Sequence, residues 1–150
     1  MVLLGCLWIL PALHANSALQ ISGHLDQSAG DSPKLRFVLK NISSHVVNVS
    51  ENYLPWGDGL SLDLYIIEQG KPPRVFKSIP FIGQVPATKI AINPNEQVTG
   101  LVDLRTRFPD LDQVLKQQVL IFWVWRGSRL ARWEAVDVDD QIGGIESAMR

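Results

Sequence analysis

The chain has 150 residues, with 14 Lys and Arg against 15 Asp and Glu, a formal charge of −1 at pH 7, and a single cysteine. Near-balanced charge without a clustered basic run excludes the electrostatic footprint of a nucleic-acid binder or of a protein drawn to an anionic membrane. One cysteine excludes an intrachain disulfide framework, and the length suits one domain that buries enough surface to fold without staples.

Residues 1–18 form an apolar run that breaks at Pro11 and ends in the small residues Ala15, Ser17 and Ala18, the pattern of a cleavable secretory signal. The run is shorter than the roughly 20 apolar residues a spanning helix needs. No Lys or Arg precedes it, and cleavage after Ala15, Ser17 or Ala18 fits equally well. Leu3-Leu-Gly-Cys6 has the outline of a lipid-attachment box. The apolar run continues past Cys6, however, so the cysteine reads as part of the discarded segment. The expectation is a secreted or periplasmic protein that carries no cysteine and has no membrane contact after signal removal.

The first strand is predicted from Ala18 to Leu25, followed by a polar loop, Asp26 to Pro33, rich in turn formers. Lys34 to Asn41 alternates, with Leu35, Phe37 and Leu39 on one face. Asn41-Ile-Ser-Ser44 reads as a hairpin-like turn into Val46 to Val49, where Val47 and Val49 point inward. Tyr53 to Gly59 is an aromatic turn in which Pro55 forbids ladder pairing. Leu60 to Ile67 is the clearest strand, with Leu60, Leu62, Leu64 and Ile66 inward. Alanine at Leu62 or Leu64 is therefore expected to be costly, and at Ser61 or Asp63 nearly free.

Arg74 to Lys77 is a short return strand, and Ser78 to Pro86, with two prolines among apolar residues, reads as an edge segment or long exposed loop. Ala87–Ile92 and Gln97–Leu104 flank Asn93-Pro-Asn-Glu96, a β-turn with Pro second. Leu111 to Gln117 suits a helical turn. Gln118 to Arg126 is apolar on both parities, as in a central strand buried on both sides or one with an exposed outer patch. Leu130 to Val136 is expected to return as the last strand. The domain then spans 19–137, and 138–150, with Gly143-Gly144 and no apolar period, is expected to be a flexible tail.

The resulting class is all-β, an immunoglobulin-like antiparallel β-sandwich of about seven strands. A strand ending in Asn-x-Ser (41–43), the Leu-Pro-Trp-Gly turn (54–57), a Leu-x-Leu-x-Leu strand, Pro-Phe-Ile-Gly (80–83), Ile-Asn-Pro-Asn-Glu (92–96) and Leu-Val-Asp-Leu (101–104) together resemble the N-terminal sandwich region of deuterolysin and peptidyl-Lys metalloendopeptidase family proteins. The resemblance covers roughly residues 34 to 126 and rests on features general to sandwiches. Asn95 stands where that family's turn carries Gly, a swap Asn tolerates because it also visits left-handed backbone. The protease's His-Glu-x-x-His motif is missing from the sequence, whose histidines are His14, His24 and His45. The resemblance thus implies an accessory, prodomain-like module without its protease, with a protease among the implied partners.

No Gly-x-Ser-x-Gly elbow accompanies the serines, and His24 and His45 fall where solvated polar roles are commonest. Asp137-Val-Asp-Asp140 lacks the glycine and distal glutamate of a calcium loop and reads as a solvated strand end. Neither a cofactor nor a metal is expected, and the chain reads as a non-enzyme. Trp123, Trp125 and Trp133 can fill the core or form an exposed aromatic platform. Candidate partner-binding residues are therefore Ile79, Phe81 and Ile82 in the proline-rich segment and Trp123, Trp125 and Trp133 in the last hairpin. The function that follows is contact with another exported protein, as a protease inhibitor or prodomain-like chaperone. The alternative is a carbohydrate-binding or adhesion module using exposed tryptophans. Asn41-Ile-Ser43 and Asn48-Val-Ser50 are glycosylation sequons that matter only in a eukaryotic secretory pathway.

Overall fold

The computed structural model describes residues 17–26, 32–57, 61–68, 72, 74–79, 88–114, 119–127 and 141–147. Among these, alternating sequence becomes nine strands: β1 (Leu19–Asp26), β2 (Lys34–Asn41), β3 (Val47–Ser50), β4 (Leu62–Glu68), β5 (Arg74–Lys77), β6 (Lys89–Ile92), β7 (Gln97–Asp103), β8 (Val119–Trp125) and β9 (Gln141–Ser147). A single 3-10 turn (Glu51–Tyr53) and two four-residue helices, α1 (Leu104–Arg107) and α2 (Leu111–Val114), complete the described elements. Every pairing is antiparallel, in the orders β1-β2-β7, β3-β6 and β5-β4-β8-β9. The chain is all-β.

Period-two burial follows the register. Leu35, Phe37 and Leu39 of β2 are buried, and so are Leu62, Leu64 and Ile66 of β4, Val47 and Val49 of β3, and Trp123 and Trp125 of β8. Side chains from all three sheets meet in one buried cluster. Phe37 of β2 and Trp123 of β8 meet edge to face, with ring centroids 5.5 Å apart and planes at 88°, so the inner faces of two sheets are in direct contact there. That contact needs space. Gly23, paired with Phe37 across β1 and β2, supplies some of it: a Cβ at Gly23 would stand 2.9 Å from the Phe37 ring and 3.0 Å from Trp123 Nε1.

The Asn41 turn is not a hairpin between β2 and β3. β2 pairs with β7, and β3 pairs with β6, so two long antiparallel segments run side by side and both change sheet at the same level. Asn41, fully buried, fastens this crossing. Its Nδ2 donates to His45 O and to Ile92 O, both at 2.8 Å, while its Oδ1 accepts from Ser43 N–H (2.9 Å) and Ser43 Oγ–H (2.7 Å). Its backbone N–H donates to Glu96 O and its carbonyl accepts from Asn95 N–H. The second connector is the expected turn: Glu96 N–H donates to Asn93 O, Pro94 is second, and Asn95 takes φ 65°, the left-handed value a type II turn requires. Of the two sequon asparagines, Asn41 is thus consumed by the fold and Asn48 is exposed.

Two expectations need correction at the edges of β4 and β8. Ser61, on the same parity as Asp63, is fully buried and its Oγ–H donates to Leu54 O (2.9 Å), because the 54–57 turn folds over the start of β4. Residues 141–147 are strand β9, paired with β8 from Gln141↔Trp125 to Ser147↔Val119, and not part of a flexible tail. The expected strand Leu130–Val136 lies outside the described residues. The Gly143-Gly144 pair that suggests fraying is covered by rings of β8. A Cβ on Gly143 would lie 2.2 Å from Trp123 on the inner side, and one on Gly144 would lie 3.2 Å from Phe122. β9 is also tied to β1: Ile21 N–H donates to Gln141 Oε1 (3.0 Å), and Gln141 Nε2 donates to Leu19 O (2.6 Å). One buried amide thus acts as a ladder rung between two sheets.

Candidate functional site

The register of the four-stranded sheet sorts β8 by parity. Val119, Ile121, Trp123 and Trp125 are buried, so Leu120, Phe122 and Val124 point away from the core and remain partly exposed. Pairing carries that outward parity across the sheet. Leu120 faces Ile67 of β4, which faces Val75 of β5; Phe122 faces Tyr65, which faces Lys77; Val124 lies between Asp63 of β4 and Ile142 of β9. Seven apolar or aromatic side chains, Tyr65, Ile67, Val75, Leu120, Phe122, Val124 and Ile142, therefore share one face. Val75 is 62% and Ile142 72% exposed at opposite margins. None of the seven belongs to the buried cluster or packs against it. An antiparallel sheet with one wet face normally alternates to polar residues there, and this face departs from that pattern.

Two described charged groups on this face have partners. Asp63 Oδ2 accepts from Arg126 Nε–H (2.9 Å) and Nη2–H (2.6 Å), and the Lys77 ammonium lies 5.8 Å above the centre of the Tyr65 ring. On the inward parity of β5, Arg74 stacks over Phe76 at 5.0 Å and pairs with Glu68 at 3.5 Å.

The tryptophan candidates are corrected by burial. Trp123 is 4% exposed and Trp125 is fully buried with its indole N–H donating to Tyr53 O (2.9 Å), so neither ring is a platform for a partner or a sugar. Because β8 is apolar on both parities, its sequence leaves both the core and an exposed platform open to the tryptophans, and burial decides for the core. The parity of β4 is the signal that separates the faces: Leu62↔Trp125 and Leu64↔Trp123 place both tryptophans over the buried row. Trp133, Phe81 and Ile82 lie outside the described residues. Ile79 is 48% exposed while its backbone is fixed. Ser78 N–H donates to Leu64 O, Ile79 N–H donates to Arg107 O, and Leu64 N–H donates to Ser78 Oγ. Ile79 continues the parity of Val75 and Lys77 two residues beyond β5.

α1 supports that anchoring. Asp103 caps it by accepting from Arg105 N–H (2.8 Å), and the helical turn carries buried Arg107, whose Nη2 donates to Leu62 O (2.9 Å). Beside it opens a cleft of about 150 Å³ lined by Pro55, Trp56, Leu101, Val102, Thr106 and Arg107, among others. Trp56 occupies the space left by Gly100, whose Cβ would fall 2.0 Å from the indole. The hydroxyl of Thr106 donates to Asp103 O and Asp103 Oδ1 accepts from Ser32 Oγ–H, so these polar groups serve local structure.

Among the described residues, no three His, Cys, Asp or Glu side chains are gathered where they could hold a metal, and no helix is long and apolar enough to cross a membrane. His24 lies on β1 opposite Arg36, and His45 is exposed in the crossing. Asp137, Asp139 and Asp140 lie outside the described residues. The chain matches no protein-family model and no curated protein.

Proposed function

We propose that the chain is an exported, non-enzymatic module of immunoglobulin-like sandwich type that works by holding another exported protein against the outward face of β5-β4-β8-β9. The observation that carries this reading is the outward parity of β8, Leu120, Phe122 and Val124, continued by Ile67, Val75 and Ile142 into one apolar face. Aromatic and aliphatic anchors at the centre of such a patch carry most of the energy of protein contacts. Ile79, exposed on a pinned backbone, adds a preorganised apolar contact beside the edge strand. The resemblance to prodomain regions makes an exported protease the partner class to test first. The carbohydrate-binding alternative loses its platform, since the two described tryptophans it relies on are in the core.

Binding to exported proteases from the same source should be compared for the wild type, Ile142→Asp, Val75→Asp and Leu101→Asp, with circular dichroism as folding control. The two face variants sit at highly exposed positions, and Leu101 is an exposed apolar residue of β7 on a different sheet. Loss of binding for both face variants with Leu101→Asp unaffected is the expected result; truncating a central anchor, Phe122→Ala, should cost about 2 kcal/mol or more of binding. Face variants that bind as wild type would remove the reading.

A further inference from the structure

The sequence admits signal cleavage after Ala15, Ser17 or Ala18, and the entry into β1 separates the N-termini these cuts would leave. Residues 1–16 lie outside the described residues, and the described chain is buried from its start. Ser17 and Ala18 are each 7% exposed, and Leu19, the first residue of β1, is fully buried opposite Asn41 of β2. Ala18 O accepts from Ile42 N–H (2.9 Å), which carries the pairing of β1 with β2 one residue ahead of the strand. The Ser17 hydroxyl donates to Leu19 O (2.8 Å) and accepts from Gln141 Nε2 (3.4 Å), the same amide that ties β1 to β9.

A signal is cut from a chain that has not yet folded, so burial does not hide the bond; the fold limits which new N-terminus it can hold. Each cut replaces a neutral amide by an ammonium, and an ammonium taken out of water without a charged partner is costly. Cleavage after Ala18 puts that charge on fully buried Leu19 and takes away the acceptor of Ile42 N–H. Cleavage after Ser17 puts it on buried Ala18 and removes the hydroxyl that joins Leu19 O to the Gln141 amide. The groups that hold these residues are a hydroxyl, a backbone N–H and a carboxamide, and none of the three has a negative charge to offer. Cleavage after Ala15 spares all of these contacts and leaves the charge on Asn16, ahead of the buried run. Resting on the reading of the chain as exported, we propose that its signal is removed after Ala15, so that the exported chain begins at Asn16 and keeps Ser17 and Ala18 as the residues that lead into β1.

The test is N-terminal sequencing and intact mass of the full chain, expressed with its own leader in a host with a general secretory route and recovered from cell and exported fractions. The expected exported species starts Asn16-Ser-Ala-Leu19 and has the mass of residues 16–150. Ala15-x-Ser17 also has the small-x-small spacing of a cut after Ser17, so the first residue read decides, and not loss of the leader alone. Ala15→Phe puts a large ring where the peptidase needs a small residue and should leave the chain uncut. An exported chain that starts at Ala18 or Leu19, one that starts at a lipid-bearing Cys6, or an Ala15→Phe variant processed like the wild type would overturn the assignment while the export reading stands. A wild type that keeps Met1 overturns the assignment, and one that also stays inside the cell removes the export reading with it.

Discussion

Asn41 and Ser61 show how single polar side chains shape this fold. Both are fully buried, and each satisfies backbone groups that the strand ladders leave over: the carbonyls of His45 and Ile92 for Asn41, and that of Leu54 for Ser61. A buried carbonyl that loses its donor costs roughly 1–3 kcal/mol. Ser61→Ala should therefore lower stability by about that much. Asp63→Ala removes a partly exposed ion pair worth about 1 kcal/mol or less. Leu64→Ala empties a core position at about 2–5 kcal/mol. Chemical denaturation of the three variants checks the order Leu64, Ser61, Asp63, and equal losses at Ser61 and Asp63 would show that the 54–57 turn does not close over position 61. The alternation of Leu62, Leu64 and Ile66 was legible in the sequence because it comes from one strand alone. The role of Ser61 was not, because it depends on a turn that packs back from residues 54–57. The left-handed backbone of Asn95 was legible only through the resemblance, whose matching turn carries Gly at that position.

At the scale of elements, β9 explains why a strand can be hidden from its own sequence. Its inward positions begin Gln141 and Gly143, which start no apolar period, since the space over Gly143 is filled by Trp123 of the neighbouring strand and Gln141 is spent on the backbone of β1. The same layout makes a parity test out of two adjacent glycines. Gly143→Ala would drive a methyl group to 2.2 Å from the Trp123 ring, in a core where that ring also meets Phe37. Forced overpacking of this kind costs about 1–3 kcal/mol. Gly144→Ala meets only the edge of partly exposed Phe122 at 3.2 Å and needs a shift of a few tenths of an ångström. Thermal melts should therefore show a clear drop in Tm for Gly143→Ala and a much smaller change for Gly144→Ala; equal drops would contradict the pairing of β9 with β8. The crossing at Asn41 was misread for a related reason. An Asn-x-Ser turn between two strands looks like a hairpin until the register shows each strand paired elsewhere.

For the whole molecule, the all-β class was legible from period two and punctuation alone. The outward apolar face was half legible: β8 is apolar on both parities, and nothing within the strand itself says which row is buried. Only the antiparallel register to β4 shows that Trp123 and Trp125 fill the core and that Leu120, Phe122 and Val124 face outward. Other exposed apolar side chains lie elsewhere, Ile42 and Val46 at the crossing and Leu101 on β7, and they give an internal control. The most direct measurement is a carbene footprint of the purified protein, read by mass spectrometry free and in its associated state. Tyr65, Val75, Phe122 and Ile142 should lose labelling together on association while Ile42, Val46 and Leu101 keep theirs. Protection at the crossing or on β7, with the four face residues labelled as before, would contradict the assignment of this sheet face as the contact surface.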